Sequence, residues 1–406
     1  MMNKSRRPGN GIAGQVLEYS CWIIDRCGKG EITLDDAVDS LPDDCRRIVE
    51  HLLFTFYRQR KVVKRELDRF IKRPTSAEVM TLLMTAAVQC RFQSGISPES
   101  AVNVAVDAAK TFRADKFVNA VLRNFLRSEL PAVRGAADIL PGAVYRRWQK
   151  RFSPEELNRL GALFQEEAGF TYRILPGFDA VEGSTGVPAW GSFRFASAPA
   201  PAVLASENLT CGGFYIQDPA TSFAVSLAAE DAPKAANVLD LCAAPGGKTL
   251  MLGELCDKSC RITAADVSSR RQERTRENFT LRRRNYEVIA AAPEELYGKY
   301  DIILADLPCS NTGVFRKRPD ALWNFSEKKL QDICRIQREI VKSAFKLLAP
   351  GGIIIISTCS IEPEENGELV KFFCSLDPHL QCEVQQTILP APEHDGAFAA
   401  RCRLNA

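Results

Sequence analysis

The sequence predicts a multidomain protein: an all-α bundle, a small α+β subdomain, and a C-terminal doubly wound α/β sheet. Three observations carry that prediction. From Ile12 to about Arg127 apolar residues recur at helical spacing, with no convincing strand. From Phe170 to Leu209 come short alternating segments and a run of Ala, Pro and Ser (Ala196 to Ala202). After Asn237, short apolar runs alternate with helical patterns, which implies strands lying parallel.

In the first region Ile48, Leu52 and Phe56 share a face, as do Val63, Leu67, Phe70 and Ile71. Val79, Leu82, Leu83, Ala86 and Cys90 make another stripe, and Val118, Leu122, Phe125 and Leu126 a fourth. Pro42, Pro74 and Pro98 stand at or near helix starts, where a missing N–H costs nothing. About six helices are expected. Arg58 to Arg73 holds eight basic and two acidic residues. Arg58, Lys61 and Arg65 share a face away from the apolar stripe, so this helix is a candidate for facing phosphates. Residues 1 to 131 hold 21 Lys and Arg against 16 Asp and Glu, while the last 196 residues hold 24 against 26. Positive charge toward the N-terminal side suits a polyanionic partner. Plain solvation of helix faces accounts for the same charges.

Arg134 to Pro141 reads as a linker. Tyr145 to Glu167 returns to helical spacing through Trp148, Leu157, Leu160 and Phe164. After the α+β stretch, strands are expected at Val238–Leu241, Arg261–Asp266, Tyr286–Ala290, Asp301–Asp306 and Gly352–Ser357. Two alternating runs, Leu380 to Leu389 and Ala397 to Leu404, flank P-A-P-E-H-D-G and predict a closing hairpin.

The candidate site follows from the strand tips. Asn237 to Thr249 reads N-V-L-D-L-C-A-A-P-G-G-K-T: strand, glycine turn, then helix, the opening unit of a nucleotide-binding α/β domain. A phosphate-binding P-loop needs a glycine with four residues between it and the one in G-K-T, and Cys242 stands there. Asp266 ends the second strand about twenty residues past the glycines, a position from which an acid accepts hydrogen bonds from ribose hydroxyls. Asp306 closes I-I-L-A-D and leads into L-P-C-S; Cys359 follows G-G-I-I-I-I-S-T. Ligands bind at this edge of such a sheet, and two cysteines there suggest covalent chemistry on an electrophile.

D-x-C-A-A-P-G-G-K-T, D-L-P-C-S and S-T-C-S, in this order, resemble the RNA cytosine-5 methyltransferases of the NOL/NOP/Sun family. G-F-Y-I-Q-D-P-A-T-S (Gly213 to Ser222) resembles the motif that leads into their catalytic core. A-V-N-V-A-V-D-A-A-K and K-F-V-N-A-V-L-R are similar to the closing helices of NusB-like RNA-binding domains, as in the bacterial Sun/Fmu (RsmB) branch. The resemblance implies a NusB-like domain over 1–132, an RNA-recognition-like subdomain over 140–210, and a class I methyltransferase domain, Rossmann-like, over 211–406. It implies S-adenosyl-L-methionine as cofactor, bound by Cys242, Ala243, Ala244, Pro245, Gly246, Gly247 and Lys248, with Asp266 on the ribose and Asp306 nearby. It makes Cys359 the nucleophile that adds to carbon 6 of cytosine, Asp306 the acid-side partner on the base, and Cys309 the second cysteine that assists release. Arg316, Lys317 and Arg318, after the catalytic loop, are expected at the RNA, with Arg58, Lys61 and Arg65. The arginines between Arg270 and Arg284 are a weaker candidate. The family's third-strand acid, which contacts the adenine amino group, is absent from A-A-A-P-E-E (Ala290 to Glu295); Glu294 is the candidate replacement.

The expected substrate is bacterial 16S ribosomal RNA. Transfer RNA methylation, and an RNA-binding assembly factor without turnover, stay open, and a DNA-type enzyme would attack with the cysteine of P-C-S. Fourteen cysteines without paired C-x-x-C spacing, and three histidines, suggest thiols packed in a reducing cytosol and no metal site. The longest purely aliphatic run, Ile353 to Ile356, is far short of a membrane span, and the basic N-terminal stretch has no apolar run behind it, so a cytoplasmic monomer is expected.

Overall fold

The computed structural model describes residues 11–229 and 236–405; the basic stretch at 1–10, read above for the absence of a secretory signal, lies outside them. The chain forms two compact units: residues up to 166 with 318–324, and 167–317 with 325–406. No helix among the described residues is long and apolar enough to cross a membrane.

The first unit is helical. Six helices, Gly11–Lys29, Leu34–Asp39, Asp43–Asp68, Ala77–Phe92, Pro98–Ala109 and Asp115–Arg127, are followed by Gly142–Trp148 and Pro154–Gln165. Their starts are written in the sequence. Thr33, Ser76, Ser97 and Ser153 accept an N–H of the first turn through their side chains, and Pro98 and Pro154 take the first helical position. The predicted stripes are the core: Leu52, Phe56, Val63, Leu67, Leu82, Leu83, Val118, Leu122 and Phe125 are buried together. Trp323, from the helix Pro319–Asn324, packs on the same core and donates its indole N–H to the Tyr57 carbonyl at 2.7 Å.

One expectation about this unit is corrected. Arg58, Lys61 and Arg65 are half-buried and do not form an open phosphate-facing row. Lys61 Nζ donates to the carbonyls of Ala137 and Leu140 at 2.5 and 2.7 Å. Arg65 pairs with Asp138 at 2.6 Å and donates to the Ala132 carbonyl, while Arg58 lies over the Phe54 ring. This face of the helix clamps the 132–140 segment, whose free carbonyls need donors.

The second unit contains two sheets. The small one is antiparallel in the order β2-β3-β1-β4, with β1 Thr171–Ile174, β2 Thr185–Val187, β3 Arg194–Ser197 and β4 Phe214–Ile216. Arg173 of β1 is fully buried between the Phe193 and Tyr215 rings and pairs with Glu254 at 3.1 Å.

The large sheet has β5 Asn237–Leu241, β6 Arg261–Asp266, β7 Glu287–Ala290, β8 Tyr300–Asp306, β9 Leu348–Thr358, β10 Leu380–Ile388 and β11 Ala397–Leu404, in the order β10-β11-β9-β8-β5-β6-β7. Strands β5 to β9 are parallel; β10 and β11 form the antiparallel hairpin edge. Val238, Leu239, Ile302 to Ala305 and Ile353 to Ile356 are buried, because helices cover both faces of a parallel sheet. The order reverses between β5 and β8, so the tips of these strands open a crevice where ligands bind. Two local differences from the sequence reading appear. Tyr286 lies outside β7 and packs edge-on against Phe279, and a single 3-10 turn, Pro293–Glu295, replaces a helix between β7 and β8.

Candidate active site

The crevice is a cavity of about 1060 Å³, lined among others by Cys242, Lys248, Asp266, Asp306, Cys309 and Cys359. Four strand ends supply these residues, which is why a chain-wide scatter of motifs converges on one place.

After β5 the chain turns sharply. Cys242 and Gly246 have positive φ, 61° and 92°, and a Cβ on Gly246 would stand 2.7 Å from the Phe279 ring. Cys242, Ala244 and Lys248 line the cavity. Ala243, Gly246 and Gly247 are buried within the turn, and Pro245 is exposed, so half of the expected cofactor loop shapes the turn and does not face the cavity. Burial pushes the Cys242 thiol up to about 12, a packed group and not a reactive one.

Asp266 is buried at the tip of β6. Its Oδ1 accepts from Ser268 N at 2.9 Å and from the Arg271 guanidinium at 2.9 Å, while Oδ2 is buried without a partner. Next to it Val267 presents an apolar side chain, 63% exposed, to the cavity, and Glu294 lines the same wall. An unpaired acceptor beside an exposed apolar surface fits a ribose with its base, which is the fit S-adenosylmethionine requires.

Lys248 Nζ meets Asp306 Oδ2 at 2.6 Å, and Ser357 Oγ donates to Asp306 Oδ1 at 2.9 Å. Burial alone would lower the Lys248 pKa, but the Asp306 and Asp240 charges outweigh it, so the ammonium keeps its proton. The two sulfurs, Cys309 Sγ and Cys359 Sγ, are 3.1 Å apart, and Cys359 Sγ lies 3.0 Å from Asn311 Oδ1. The Cys309 thiol is held well above its ordinary value, first by the hydrogen bond to Cys359 and then by burial.

Arg316 and Arg318 depart from expectation. Arg316 is 9% exposed and donates to the carbonyls of Ala391, Pro392 and Glu167, and Arg318 pairs with Asp35 and Asp320. These arginines fasten backbone and carboxylates in place of presenting an open cationic surface. Of the cluster on the helix Ser269–Leu281 and just beyond it, Arg271 turns to Asp266, Arg276 to the Val288 carbonyl, and Arg282 to the Phe214 carbonyl under the Tyr215 ring.

Two further features shape the site: Lys317, expected at the RNA with its two arginine neighbours, and a pair of residues that sequence reasoning passed over. Lys317 bridges Asp218 and Asp395, which both line the cavity; burial first, then Asp218, raises Asp395 to about 7. Glu365 and Asn366 reach back under both cysteine loops. The available signal was E-E-N, three polar residues five to seven positions past Cys359, ahead of an apolar helix.

A model described as 16S rRNA methyltransferase RsmB/F matches residues 225–400, and a NusB family model matches 29–127. Ribosomal RNA small subunit methyltransferase B of Cronobacter sakazakii is 27% identical, over 96% of this chain and 97% of its own. Its Salmonella typhi counterpart is 26% identical with the same coverage. Two solved structures share the fold: PH0851, at 19% identity and TM-score 0.74 over 98% of this chain and all of its own, and NSun6 from Pyrococcus horikoshii with SFG, at 19% and 0.53 over 66% of this chain and 98% of its own. With the helical region and the strand-tip site matched in the same order, the chain resembles the RsmB/F 16S rRNA methyltransferases over residues 225–400 and the NusB family over 29–127.

Proposed function

We propose that the chain methylates carbon 5 of a cytosine in 16S ribosomal RNA through a covalent adduct on Cys359. Methylation of small-subunit ribosomal RNA is what the matched model and the curated relatives are described as doing; the base, the atom and the adduct are added by this proposal. The observation that carries it is the pair of sulfurs 3.1 Å apart in one cavity with the Lys248–Asp306 ion pair. In this reading residues 1–132 bind RNA, 140–210 form the small subdomain, and 211–406 catalyse.

Carbon 5 of cytosine is a poor nucleophile until a thiolate adds to carbon 6 and makes the ring an enamine. In this reading Cys359 is the sulfur that attacks, and Cys309, whose thiol is held well above its ordinary value by the contact with Cys359 and by burial, stands beside it as the second thiol. Asp306, at the base edge, meets ring nitrogen 3 as electrons move toward it, and the ammonium of Lys248 keeps the local charge balanced. S-adenosylmethionine, when bound, supplies a methyl group on a sulfonium sulfur; Asp266 Oδ2 holds its ribose, Val267 its base, and Glu294 stands in for the missing third-strand acid. Product forms when water admitted to the cavity takes the carbon 5 proton. Its electron pair then restores the ring double bond, and Cys359 leaves as thiolate. Cys309 assists this release. The target base must leave its stack to enter the cavity.

Substitution of each cysteine separates the roles. Cys359→Ala loses methyl transfer and any adduct. Cys309→Ala still adds and methylates, then stalls, leaving a protein–RNA species on denaturing electrophoresis, with bisulfite mapping of 16S and transfer RNA locating the base. An adduct from Cys359→Ala and none from Cys309→Ala reverses the assignment.

A further inference from the structure

We infer that Glu365 is the positioning residue for Cys309, and that it acts at adduct release. The inference rests on the two-cysteine reading above and names a group that reading leaves unused. Glu365 is fully buried, although it carries a carboxylate and no cation is paired with it among the described contacts. Burial raises its pKa, and the hydroxyls of Ser310 and Ser360 with the Ser310 N–H act against that rise. A buried carboxylate is costly unless donors converge on it, and here they do.

The donors come from both cysteine loops. Ser310 N donates to Oε1 at 2.7 Å, and the hydroxyls of Ser310 and Ser360 both donate to Oε2. Gln337 Nε2 reaches Oε1 at 3.3 Å and the Pro308 carbonyl at 2.8 Å. Ser310 follows Cys309 and Ser360 follows Cys359, so one carboxylate grips the residue after each sulfur.

The two loops depend on that grip unequally. Cys359 continues from β9, and its carbonyl also accepts from Gly313 N at 2.9 Å. Cys309 lies in an irregular loop, and Ser310 beside it has backbone and side chain both ending on Glu365. Loss of the carboxylate moves Cys309 more than Cys359. Addition and methylation then survive and release fails, the pattern expected of Cys309→Ala by a route that leaves both thiols in place.

The test uses the full chain with 16S rRNA and S-adenosylmethionine. Glu365→Gln puts an amide N–H where a hydroxyl or amide now donates. Its steady-state turnover should fall about 10- to 100-fold, the scale of a roughly 1 Å displacement, while methyl incorporation in a single turnover stays near that of the parent and a covalent protein–RNA species accumulates. Ser310→Ala removes one donor and keeps the N–H, so it should show the same accumulation in weaker form, and it serves if Glu365→Gln does not fold. Turnover and single-turnover incorporation falling together with no adduct would mean a merely structural role and overturn the inference. So would a folded Ser310→Ala with parent-like turnover and no adduct. Cys309→Ala is run beside them: an adduct there and none from Glu365→Gln defeats this inference alone, whereas none from Cys309→Ala defeats the two-cysteine mechanism and this inference with it.

Discussion

At the scale of the residue, Asp240 shows what burial does to a carboxyl group. It is fully buried beneath the loop after β5, where the Thr249 hydroxyl donates to Oδ2 at 2.6 Å and Oδ1 has no partner. Burial is the first cause that raises it to about 7, far above the roughly 3.9 of a free aspartate. The folded state thus binds this proton more tightly than the unfolded one. The stability it contributes is complete below about pH 4 and is lost as pH rises through about 7. Asp240→Asn removes the titration and keeps an oxygen for Thr249. Its melting temperature relative to the parent should be higher at pH 8.5 than at pH 5.5. An offset that is the same at both values would show that some other group titrates.

At the scale of the element, the catalytic loops are joined by two glycines packed back to back. Gly313 N donates to the Cys359 carbonyl, and Gly396 N, at the start of the hairpin return, donates to the Gly313 carbonyl at 2.8 Å. A Cβ on Gly313 would lie 2.6 Å from the Cys359 carbonyl oxygen and 2.8 Å from that of Gly396, both backbone atoms with little room to yield. Gly313→Ala should destabilise the protein by about 1–3 kcal/mol, the usual scale of overpacking. Calorimetric unfolding checks that figure. Methyl transfer should fall at least about tenfold, since the displaced carbonyl belongs to Cys359 itself. Activity close to the parent's would mean that the loops move apart without cost. The strands around these loops were legible in sequence because apolar runs such as I-I-I-I end at glycines or acids. The contact of Gly313 with Gly396 was not, since 83 positions separate them and neither neighbourhood marks the other.

At the scale of the whole molecule, the order of helical region, small sheet and large sheet was legible, and the use of the charges was not. Periodicity reports which face of a helix is apolar. It does not report which polar face meets another segment, so Lys61 and Arg65 read as open cations although they hold carbonyls and an acid 67 to 79 positions away. Arg316 misled in the same way. D-L-P-C-S and S-T-C-S name chemistry directly, while Glu365 meets Ser310 from 55 positions away, a pairing that no local pattern marks. The open cations of the helical unit lie elsewhere: Lys72 and Arg73 are exposed in the connection after Asp43–Asp68. If they meet RNA phosphates, Lys72→Ala with Arg73→Ala should weaken binding and lower the slope of log affinity against log salt by about 1 to 2, close to one per phosphate contact. Titrations of 16S rRNA at several salt concentrations measure it, and an unchanged slope removes this pair from the interface.

The proximity of the two sulfurs has a consequence outside the methylation cycle. Two thiols in contact are a target for peroxide: Cys359 would give a sulfenic acid with loss of water, and the Cys309 thiol would displace a second water from it to leave a cystine bridge. Both sulfurs would then be spent. Brief exposure to hydrogen peroxide should abolish methyl transfer, and dithiothreitol should restore it, with mass spectrometry finding the parent mass less two hydrogens. Loss that dithiothreitol cannot reverse would mean that Cys309 fails to capture the sulfenic acid, and that the enzyme has no shelter from overoxidation.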